Sequence, residues 1–354
     1  MKNSFYRNWK AAIINEKFSI RDTIKNLNKT ALQLCFVIRN KKFIGTITDG
    51  DIRRALLKGH DLENNIKEII NRKPKFIYQK NLNNKKLLNK LKKFFSFYLI
   101  PILNNKHEMI DIFIDEKNYL DLSKINCEVA IMTGGKGKRL YPLTKKIPKA
   151  LVKISGKPIL ENIIEKGKKE GIKNFNLITN HFHNKIKNYF KDGKKFEVNI
   201  KYFKENFPLG TAGGLSLLKE KKSKIKLLIV TNCDIVTNLS YSDLIEFHNK
   251  NKNKVTIASR FFKLDNPYGV MKIDKKNQIF KIEEKPSENH LISAGVYIIN
   301  YSILNHLKKN KKIDMTDFIN TLLKKRIKIG TCLIHENWLD IGSKKDLEKI
   351  NSFR

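Results

Sequence analysis

Short apolar runs alternate with helical stretches in the second part of the chain. The runs Val129 to Thr133, Phe175 to Thr179 and Leu227 to Thr231 predict buried strands, and the stretches Pro158 to Glu170 and His183 to Phe190 are typical of helices. Strands that alternate with helices favour a mostly parallel sheet covered on both faces. This part of the chain is therefore predicted to be an α/β domain.

The first part of the chain follows a different pattern. It contains two weakly similar units, each with a short helix, two strands and a further helix. In the first unit, Phe36 to Ile38 and Phe43 to Ile47 are strand candidates joined by a turn-forming segment. We therefore expect an α+β domain at residues 1–122, with repeats at about 15–74 and 75–122, followed by the α/β domain at residues 126–354.

A hydroxyl and two carboxylates lie where the second strand of the first repeat ends. Thr48, Asp49 and Asp51 precede the helical segment Ile52 to Leu57. A helix N-terminus favours phosphate, and a carboxylate three residues after a hydroxyl can hold the vicinal diol of a ribose. A helix cap formed by Asp49 or Asp51 is the alternative, and these residues alone leave both open.

The net charge of the 354-residue chain is +38, a value that fits a nucleic acid or an anionic membrane as partner. The charge is not localised, however. Residues 1–125 hold 26 Lys+Arg and 12 Asp+Glu, net +14, and the remainder holds 46 and 22, net +24. We therefore expect no specific nucleic-acid partner, although uniform charge attracts polyanions at low salt.

The cysteines and the apolar stretches indicate the compartment. Cys35, Cys127, Cys233 and Cys332 lie far apart, without a CxxC pair or a short Cys/His zinc spacing. Four scattered thiols favour a reducing compartment. The first residues lack the apolar core of a secretory signal, and no uncharged apolar stretch approaches the roughly eighteen residues of a membrane span. We therefore expect a soluble cytoplasmic protein with no membrane partner.

A glycine-rich, basic loop, GGKGKRLYPLTKKIPKAL at residues 134–151, directly follows the first predicted strand of the α/β domain. Gly134, Gly135 and Gly137 let the backbone approach phosphates closely. The spacing is neither GxGxxG nor GxxxxGK followed by Ser or Thr, which argues against hydride transfer and against a P-loop ATPase. Three glycines alone are equally consistent with a tight turn. The cations that favour a polyphosphate are Lys136, Lys138, Arg139 and Lys149.

The loop resembles the signature of the sugar-1-phosphate nucleotidyltransferases, GGxGxRLxPLTxxxPKxL, from Gly134 through Leu151. The resemblance implies a Rossmann-like (GT-A-like) fold and transfer of a nucleoside monophosphate from an NTP to a sugar 1-phosphate, with release of pyrophosphate. Lys138 departs from the usual Thr or Ser. The residues that the resemblance places on the nucleotide are Gly134, Gly135, Lys136, Gly137, Glu205, Gly210 and Thr211.

Two later carboxylates also match family positions. Asp234 follows the strand in KLLIVTNCD, and Asp340 lies in WLDIGSKKDLEKI, which resembles W-x-D-I-G-x-x-x-D-L. Taken singly, each is also a turn or cap candidate. The resemblance implies that both bind Mg²⁺, an ion that often takes one or two carboxylates plus substrate phosphates. Cys233 departs from the small residue usual before the first Asp. The implied catalytic set is Arg139, Lys149, Asp234, Lys285 and Asp340.

Further matches concern the sugar. Residues 283–286, EEKP, resemble the family's E-K-P element, which assigns Lys285 to the phosphate of the sugar substrate and Glu284 to sugar hydroxyls. Gly269 and Gly295 match glycines that let the backbone reach the sugar ring. For each glycine, a bulge or turn in a strand is the alternative.

Glu205, in KENFPLGTAGGL, falls where the family reads the base edge. A carboxylate presents two acceptors that complement the N1–H and 2-amino donors of guanine. Uracil and thymine present one N–H between two carbonyl oxygens, which a carboxylate would repel. This favours GTP over UTP and dTTP, which remain the alternatives. A Glu205 that is exposed, or that is positioned by another residue, is the alternative to base recognition.

The segment Gly45 to Pro74 resembles a cystathionine-β-synthase (CBS) domain, a module that usually occurs in pairs and often binds adenine nucleotides. The family's ribose-binding pattern falls on Thr48 and Asp51, whereas the second repeat has Ile114 and Lys117 there. The resemblance therefore implies a CBS pair with at most one adenine-nucleotide site. Self-association into a homo-oligomer is expected, and a purely structural role is the alternative.

The whole chain resembles CBS-pair nucleotidyltransferases of bacterial surface-sugar pathways, including guanylyltransferases that activate amino sugars for legionaminic-type acids. This resemblance favours a hexosamine 1-phosphate as substrate. A noncatalytic regulatory subunit is the alternative, but it predicts loss of Arg139, Asp234 or Asp340, all of which are present.

His181 and His183 raise the question of a zinc site, but no third ligand is evident, and we expect them to cap the helix beginning near residue 183. Asn180, at the end of a predicted strand, is a candidate to line the pocket.

Overall fold

The chain forms two compact units, Met1–Leu120 and Asp121–Arg354. The computed structural model describes residues 9–30, 34–82, 99–114, 122, 125–135, 137–154, 156–220, 225–334, 336–343 and 346–347. Lys117 and Lys136 lie outside the described residues, as does much of the predicted second repeat.

The first unit repeats one strand arrangement. Its two three-stranded sheets have the orders β1-β2-β3 and β4-β5-β6, and in each the first strand is parallel to the second and the second antiparallel to the third. The sequence predicted two strands per repeat. The additional strands β1 and β4 are too short to give an alternating pattern. The elements are β1 (Ile13–Asn15), α1 (Ile20–Thr30), β2 (Leu34–Arg39), β3 (Lys42–Thr48), α2 (Asp49–Leu57), β4 (Ile77–Tyr78), β5 (Leu99–Leu103) and β6 (Met109–Ile114).

Apolar side chains of both sheets share one core in this unit. Phe36 and Phe43 of the first sheet pack with Leu99 and Leu103 of the second, and Trp9 joins the same cluster. Burial of each such side chain stabilises the fold by about 1.5–3 kcal/mol.

The second unit is built on a seven-stranded sheet in the order β11-β10-β7-β12-β17-β14-β18. Strands β11, β10, β7 and β12 are mutually parallel, β17 is antiparallel to both its neighbours, and β14 is parallel to β18. This confirms the predicted α/β fold with a mostly parallel sheet.

The elements of the second unit agree with the predicted strands and helices to within two residues where the sequence predicted them. They are β7 (Cys127–Met132), β8 (Lys153–Ile154), β9 (Lys157–Pro158), α3 (Ile159–Lys169), β10 (Asn174–Thr179), α4 (His183–Phe190), β11 (Asn199–Lys204), α5 (Gly210–Gly213), β12 (Leu227–Asn232), β13 (Ile235–Thr237), α6 (Tyr241–Lys250), β14 (Val255–Asp265), β15 (Val270–Ile273), β16 (Ile279–Glu283), β17 (Ser287–Asn300), α7 (Met315–Lys324), β18 (Ile329–Leu333) and β19 (Trp338–Asp340).

Helix α7 is one of the helices that cover this sheet. Its buried residues, Met315, Phe318, Ile319 and Leu322, recur at the three- and four-residue spacing of one helix face. They pack in the same cluster as Val230 and other side chains of the central strands.

Strands β14 and β17 continue beyond the buried part of the sheet. After a bulge between Ile257 and Ser259, their pairing runs out to Asp265 opposite Ser287, and the hairpin β15–β16 connects them. We call residues 261–293 the arm.

Within the described part of the chain, no helix has both the length and the apolar character needed to cross a membrane.

Candidate active site

A pocket of about 380 Å³ opens at the carboxyl ends of the parallel strands β7 and β12. Sites for small ligands commonly have volumes of about 300–1,000 Å³. The pocket is lined by Met132, Gly134, Gly135, Gly137, Lys138, Arg139, Leu140, Lys149, Glu205, Pro208, Gly210, Thr211, Asn232, Cys233, Asp234 and Gly342. The pocket thus brings together the glycine-rich loop, three of its cations (Lys138, Arg139 and Lys149) and the first predicted metal ligand.

The glycines of the loop differ in whether the fold leaves room for a side chain at their positions. Gly137 has φ +63°, and a Cβ there would lie 3.1 Å from Thr144 Cγ2 and 3.3 Å from Lys149 Cβ. The Thr144 hydroxyl donates a hydrogen bond to the Gly137 carbonyl at 2.7 Å, which fixes the turn. A Cβ at Gly135, in contrast, would meet nothing within 4 Å. The fold therefore requires a glycine at 137, whereas Gly135 leaves open space in the pocket.

Lys149 and Asp234 form an ion pair inside the pocket. The Lys149 ammonium lies 2.6 Å from Asp234 Oδ2, and both side chains are largely covered. A 3₁₀ turn over Lys149–Leu151 presents the lysine, and the end of β12 presents the aspartate.

Asp340 is a neighbour of Asp234 through a short strand pairing. Strand β13 pairs antiparallel with β19, which places Asp340 opposite Ile235, and the Ile341 N–H donates to the Asp234 carbonyl at 3.0 Å. Asp340 therefore lies in a strand and caps no helix. Burial, and next the negative charge of Asp234, raise the pKa of Asp340 above its ordinary value, while Lys149 and Arg139 act in the opposite direction.

Each of the two aspartates has one buried carboxylate oxygen without a hydrogen-bond partner among the described residues, Asp234 Oδ1 and Asp340 Oδ1. A buried acceptor without a partner is costly, and a cation between the two would satisfy both. No group of three or more His, Cys, Asp or Glu side chains with metal-site geometry occurs among the described residues. Two carboxylates, with substrate phosphates as the remaining oxygen ligands, fit Mg²⁺.

Arg139 contacts the segment that follows Asp340. A Cβ at Gly342 would lie 3.2 Å from Arg139 Nη1, so the absence of a side chain at 342 makes room for the guanidinium. Gly342 stands in the WLDIG motif but is not among the predicted site residues. Asn232, two residues before Asp234, is a second lining residue outside the predicted set.

Glu205 is buried at the wall of the pocket. A Cβ at Gly134 would lie 2.9 Å from Glu205 Oε2, and one at Gly214 would lie 2.5 Å from Oε1, so the carboxylate sits between two glycines. Burial raises the pKa of Glu205 to about 7, against a backbone hydrogen bond from Leu209 that lowers it. Asn180 is not a lining residue; its Nδ2 donates to the Glu205 carbonyl at 3.2 Å and thereby positions this segment.

Gly210 and Thr211 are held by the start of α7. Gly210 has φ +80°, and a Cβ there would lie 2.6 Å from the Ile313 carbonyl oxygen. The Thr211 N–H donates to Asp314 Oδ1 at 3.0 Å, and the Thr211 hydroxyl accepts from the Met315 N–H at 2.8 Å. Asp314, which the sequence analysis did not select, thus fixes this part of the pocket.

The residues predicted to bind the sugar are not among those that line the pocket. Gly269, Glu284 and Lys285 are exposed on the arm, where Lys285 Nζ lies 4.0 Å from Glu284 Oε1 and a Cβ at Gly269 would lie 3.2 Å from Glu284 Oε2. Gly295, with φ +72°, lies at the base of the arm, and a Cβ there would lie 3.2 Å from Asn232 Nδ2. The structure therefore brings the three arm residues together, and none of them is among the residues that line the pocket.

Thr48 and Asp51 form a capping box at the start of α2. The Asp51 N–H donates to Thr48 Oγ1 at 3.2 Å, and the Thr48 N–H donates to Asp51 Oδ2 at 2.8 Å. Helix α2 accordingly begins at Asp49, three residues earlier than the predicted segment. The N-cap is therefore Thr48, with Asp51 completing the capping box, and not Asp49 or Asp51 itself as in the cap alternative; ribose binding stays a prediction.

The expectation that His181 and His183 cap α4 is wrong for this helix. Its N-cap is Phe182, in the left-handed conformation and without a side-chain cap bond. His183 Nδ1 instead lies 2.7 Å from Thr179 Oγ1, in the preceding strand.

Comparison with known proteins places the pocket in one sequence family. The Nucleotidyl transferase family model matches residues 128–354. The chain is 32% identical over 221 residues to the D-glycero-alpha-D-manno-heptose 1-phosphate guanylyltransferase of Campylobacter jejuni, covering 62% of this chain and 96% of that protein. It is 32% identical over 230 residues to the mannose-1-phosphate guanyltransferase of Yarrowia lipolytica, covering 61% of each, and 33% identical over 233 residues to the bifunctional protein GlmU of Methanocaldococcus jannaschii, covering 64% of this chain and 54% of that one. The chain thus spans less than two thirds of the length of these last two relatives.

Solved structures agree on the fold. HddC from Yersinia pseudotuberculosis, complexed with GMP-PN, is 25% identical with a TM-score of 0.50, over 64% of this chain and 98% of HddC. A putative glucose-1-phosphate thymidylyltransferase from Bacillus anthracis is 24% identical with a TM-score of 0.52, over 64% of this chain and 94% of that one.

Proposed function

The chain belongs to the nucleotidyl transferase family, and from this premise we propose that it transfers GMP from GTP to a sugar 1-phosphate, giving a GDP-sugar and pyrophosphate. The observation that carries the proposal is the grouping in one pocket of the glycine-rich loop, Arg139, Lys149 and Asp234, with Asp340 beside Asp234. This set combines backbone and cationic phosphate ligands with two carboxylates that each retain an unsatisfied oxygen.

The proposed reaction is an in-line displacement. A phosphate oxygen of the sugar 1-phosphate forms a bond to the α-phosphorus of GTP, and the bond from that phosphorus to the bridging oxygen breaks as pyrophosphate leaves. The nucleophile is already anionic, so no general base is required. The protein must instead bring two anions together, align them and offset the charge that develops.

Different residues of the pocket are proposed to align the two anions and to offset their charge. The backbone of the glycine-rich loop and Arg139 are proposed to bind the β- and γ-phosphates, and Lys149 to offset charge near the α-phosphorus. Lys136, which lies outside the described residues, is assigned to the leaving pyrophosphate by the resemblance alone. Asp234 and Asp340 would hold Mg²⁺. When bound, this ion neutralises phosphate oxygens and helps to fix their geometry.

The base preference rests on Glu205. Its carboxylate belongs to a residue that lines the pocket, and two acceptor oxygens match the two adjacent donors of guanine. Two relatives whose names specify guanylyl transfer support the same preference. Binding would require the ionised form of Glu205.

For the acceptor we propose a sugar 1-phosphate, with a hexosamine 1-phosphate favoured by the resemblance to amino-sugar guanylyltransferases. The heptose and mannose relatives justify testing hexose and heptose 1-phosphates beside it. Lys285 is proposed to bind the phosphate of this substrate, Glu284 its hydroxyls, and Gly269 and Gly295 to leave room for its ring.

We propose that the first unit is a CBS pair. Its two sheets share one topology, and the cap at Thr48 and Asp51 occupies the strand-to-helix junction where the family binds ribose. An adenine nucleotide is the proposed ligand of the first repeat.

The proposed function is tested by measuring pyrophosphate release, with and without Mg²⁺, from GTP, UTP, dTTP, CTP and ATP against a panel of hexose, heptose and hexosamine 1-phosphates. Mg²⁺-dependent release with GTP and a hexosamine 1-phosphate is expected. Release with UTP or dTTP instead would contradict the role of Glu205, and no release with any pair would contradict catalysis and favour a regulatory subunit.

A further inference from the structure

Asp340 lies on a strand that is too short to be stable alone. In the described part of the chain, β19 pairs with β13 in a sheet of two strands, each three residues long. A two-stranded sheet is marginal in water without further packing. Asp234, in contrast, lies two residues after β12, a strand of the seven-stranded sheet. Asp340 therefore depends on additional contacts to keep a fixed position beside Asp234.

Trp338 supplies the first of these contacts. Side chains alternate along a strand, so Trp338 and Asp340 lie on the same face of β19. The indole Nε1 of Trp338 donates a hydrogen bond to the Ala294 carbonyl at 2.7 Å. Ala294 is fully buried on β17, which belongs to the seven-stranded sheet. The indole thus connects the strand that carries Asp340 to the sheet from which Asp234 projects.

Arg260 supplies the second contact. It lies on β14, opposite Ile292 of β17, and its Nη1 donates to the Trp338 carbonyl at 3.1 Å. The centre of its guanidinium lies 5.0 Å from the centroid of the indole ring, within the range of a cation–π interaction. One arginine side chain therefore holds both the backbone and the ring of Trp338.

The charge of Arg260 has no carboxylate partner among the described residues, although burial of the guanidinium lowers its pKa. A partly buried arginine is usually paired with an acid. The cations that act on the Asp340 carboxyl are instead Lys149 and Arg139. The contacts of Arg260 are thus directed to Trp338, and they reach Asp340 through the strand.

We propose that Arg260 and Trp338 are positioning residues that hold Asp340 at the separation from Asp234 that a shared cation requires. This inference rests on the proposed function, in which both carboxylates bind the metal. Asp234 takes its position from β12, while Trp338 and Arg260 connect Asp340 to β17 and β14 of the same sheet. The groups of such a site must be held to within about 0.5 Å, and removal of a group that orients a metal ligand typically lowers metal affinity by about 10–100-fold.

Metal binding without turnover tests the proposal. The probe is Mn²⁺ alone, which takes oxygen ligands as Mg²⁺ does and whose free concentration is measured by its electron paramagnetic resonance signal. Arg260→Gln removes the guanidinium, and Trp338→Phe keeps a ring beneath Arg260 but removes the Nε1 donor. Each variant is expected to bind Mn²⁺ about tenfold more weakly than the wild type. Arg326→Gln, the same change at an exposed arginine, is the matched control and is expected to bind Mn²⁺ as the wild type does.

Asp340→Asn separates failure of this inference from failure of the metal assignment. If Asp340→Asn weakens Mn²⁺ binding while Arg260→Gln and Trp338→Phe bind as the wild type does, the positioning role is overturned and the metal assignment stands. If Asp340→Asn itself binds Mn²⁺ normally, or if the wild type binds none, the metal assignment fails and the positioning role fails with it.

Two further readouts distinguish positioning from a general loss of stability. In assays of pyrophosphate release, Arg260→Gln is expected to raise the KM for Mg²⁺ about tenfold, to leave the KM for GTP unchanged and to recover most of kcat at saturating Mg²⁺. Arg260→Lys keeps the charge but lacks the planar fork, and an intermediate KM for Mg²⁺ is expected. A kcat that stays low at every Mg²⁺ concentration would contradict a positioning role.

Hydrogen exchange needs neither metal nor activity. Peptides from residues 336–343 are expected to exchange their amide hydrogens faster in Arg260→Gln and Trp338→Phe than in the wild type, because β19 has lost an anchor to the sheet. Peptides from α7 and the Arg326→Gln control are expected to exchange as in the wild type. Unchanged exchange over residues 336–343 in both variants would overturn the proposal, whether or not pyrophosphate is released.

Discussion

Lys149 Nζ and Asp234 Oδ2 lie 2.6 Å apart, so the buried cation of the pocket contacts the carboxylate that is proposed to bind the metal. The contact uses one oxygen of Asp234 and leaves the buried Oδ1 without a partner among the described side chains. Lys149 therefore holds the carboxylate in place while one oxygen stays available. Removing either partner leaves a mostly buried charge unpaired, which is more costly than the loss of a surface ion pair.

Substitution of the metal carboxylates is expected to abolish turnover. Asp234→Asn and Asp340→Asn should each lower kcat/KM for pyrophosphate release by about 10²-fold or more, because charge neutralisation by the ion contributes several kcal/mol to the transition state. Steady-state assays over a range of Mg²⁺ concentrations measure this, with Asp192→Asn, an exposed aspartate in a surface ion pair, as the matched control. Wild-type turnover in Asp234→Asn would contradict the metal assignment.

GTP binding is expected to weaken as the pH falls below about 7. Burial raises the pKa of Glu205 from its ordinary 4.5 to about 7, so at lower pH the folded protein carries a protonated side chain that no longer offers two acceptors. The expected loss of GTP affinity approaches tenfold per pH unit, measured by calorimetry between pH 5.5 and 8. Glu205→Gln, which does not titrate, is the control for ionisation of GTP itself, and an equal pH dependence in this variant would contradict the assignment.

Glu205 also leads to a prediction about stability, and the dependence of stability on pH has the opposite sign to that of GTP binding. A raised folded-state pKa means that the contribution of Glu205 to folding is fully present below pH 4.5 and is lost as the pH rises through about 7. Relative to Glu205→Gln, the ligand-free wild type should therefore lose up to about 3 kcal/mol of unfolding free energy between these pH values. Urea unfolding of both proteins at pH 5 and pH 8 measures the difference, and parallel changes would count against a buried, protonated Glu205.

Two glycines of the pocket should respond differently to alanine. At Gly210 the Cβ would lie 2.6 Å from a backbone oxygen at φ +80°, so Gly210→Ala should destabilise the fold by about 1–3 kcal/mol. At Gly135 the Cβ meets nothing within 4 Å, so Gly135→Ala should leave the melting temperature unchanged but weaken triphosphate binding. Thermal unfolding and GTP titration of both variants separate the effects, and normal GTP affinity in Gly135→Ala would place the phosphates elsewhere.

The capping box of α2 should be both a stability element and part of a ligand site. Thr48→Ala removes the cap acceptor and is expected to cost about 1 kcal/mol. If the first repeat binds an adenine nucleotide, AMP or ATP should raise the melting temperature of the wild type but not of Thr48→Ala. Equal shifts in both proteins would remove Thr48 from the nucleotide site.

Much of the pocket is predictable from the sequence because it depends on local patterns. The apolar run Val129 to Thr133 followed by three glycines predicts a strand that opens into a glycine-rich loop, and the structure has a strand at Cys127–Met132 with the three glycines in the pocket lining. Asp314 and Gly342 were not predicted, because their roles come from contacts with Gly210 and Arg139, which are distant in sequence. The pattern also gave no indication that Glu284 and Lys285 are absent from the pocket lining, since this depends on where the hairpin lies in the fold and not on the alternation within its strands.

The pairing of β13 with β19 also determines when, during synthesis of the chain, Asp234 and Asp340 come together. Asp234 and Asp340 are brought together by this pairing and by the hydrogen bond from the Ile341 N–H to the Asp234 carbonyl, which close a long stretch of chain. Contacts of such high sequence separation form slowly. During synthesis, the glycine-rich loop, Lys149 and Asp234 all leave the ribosome before Asp340 does. A nascent chain therefore contains the loop proposed to bind phosphate well before it contains both carboxylates proposed to bind the metal, so the proposed activity would be acquired late in its biogenesis.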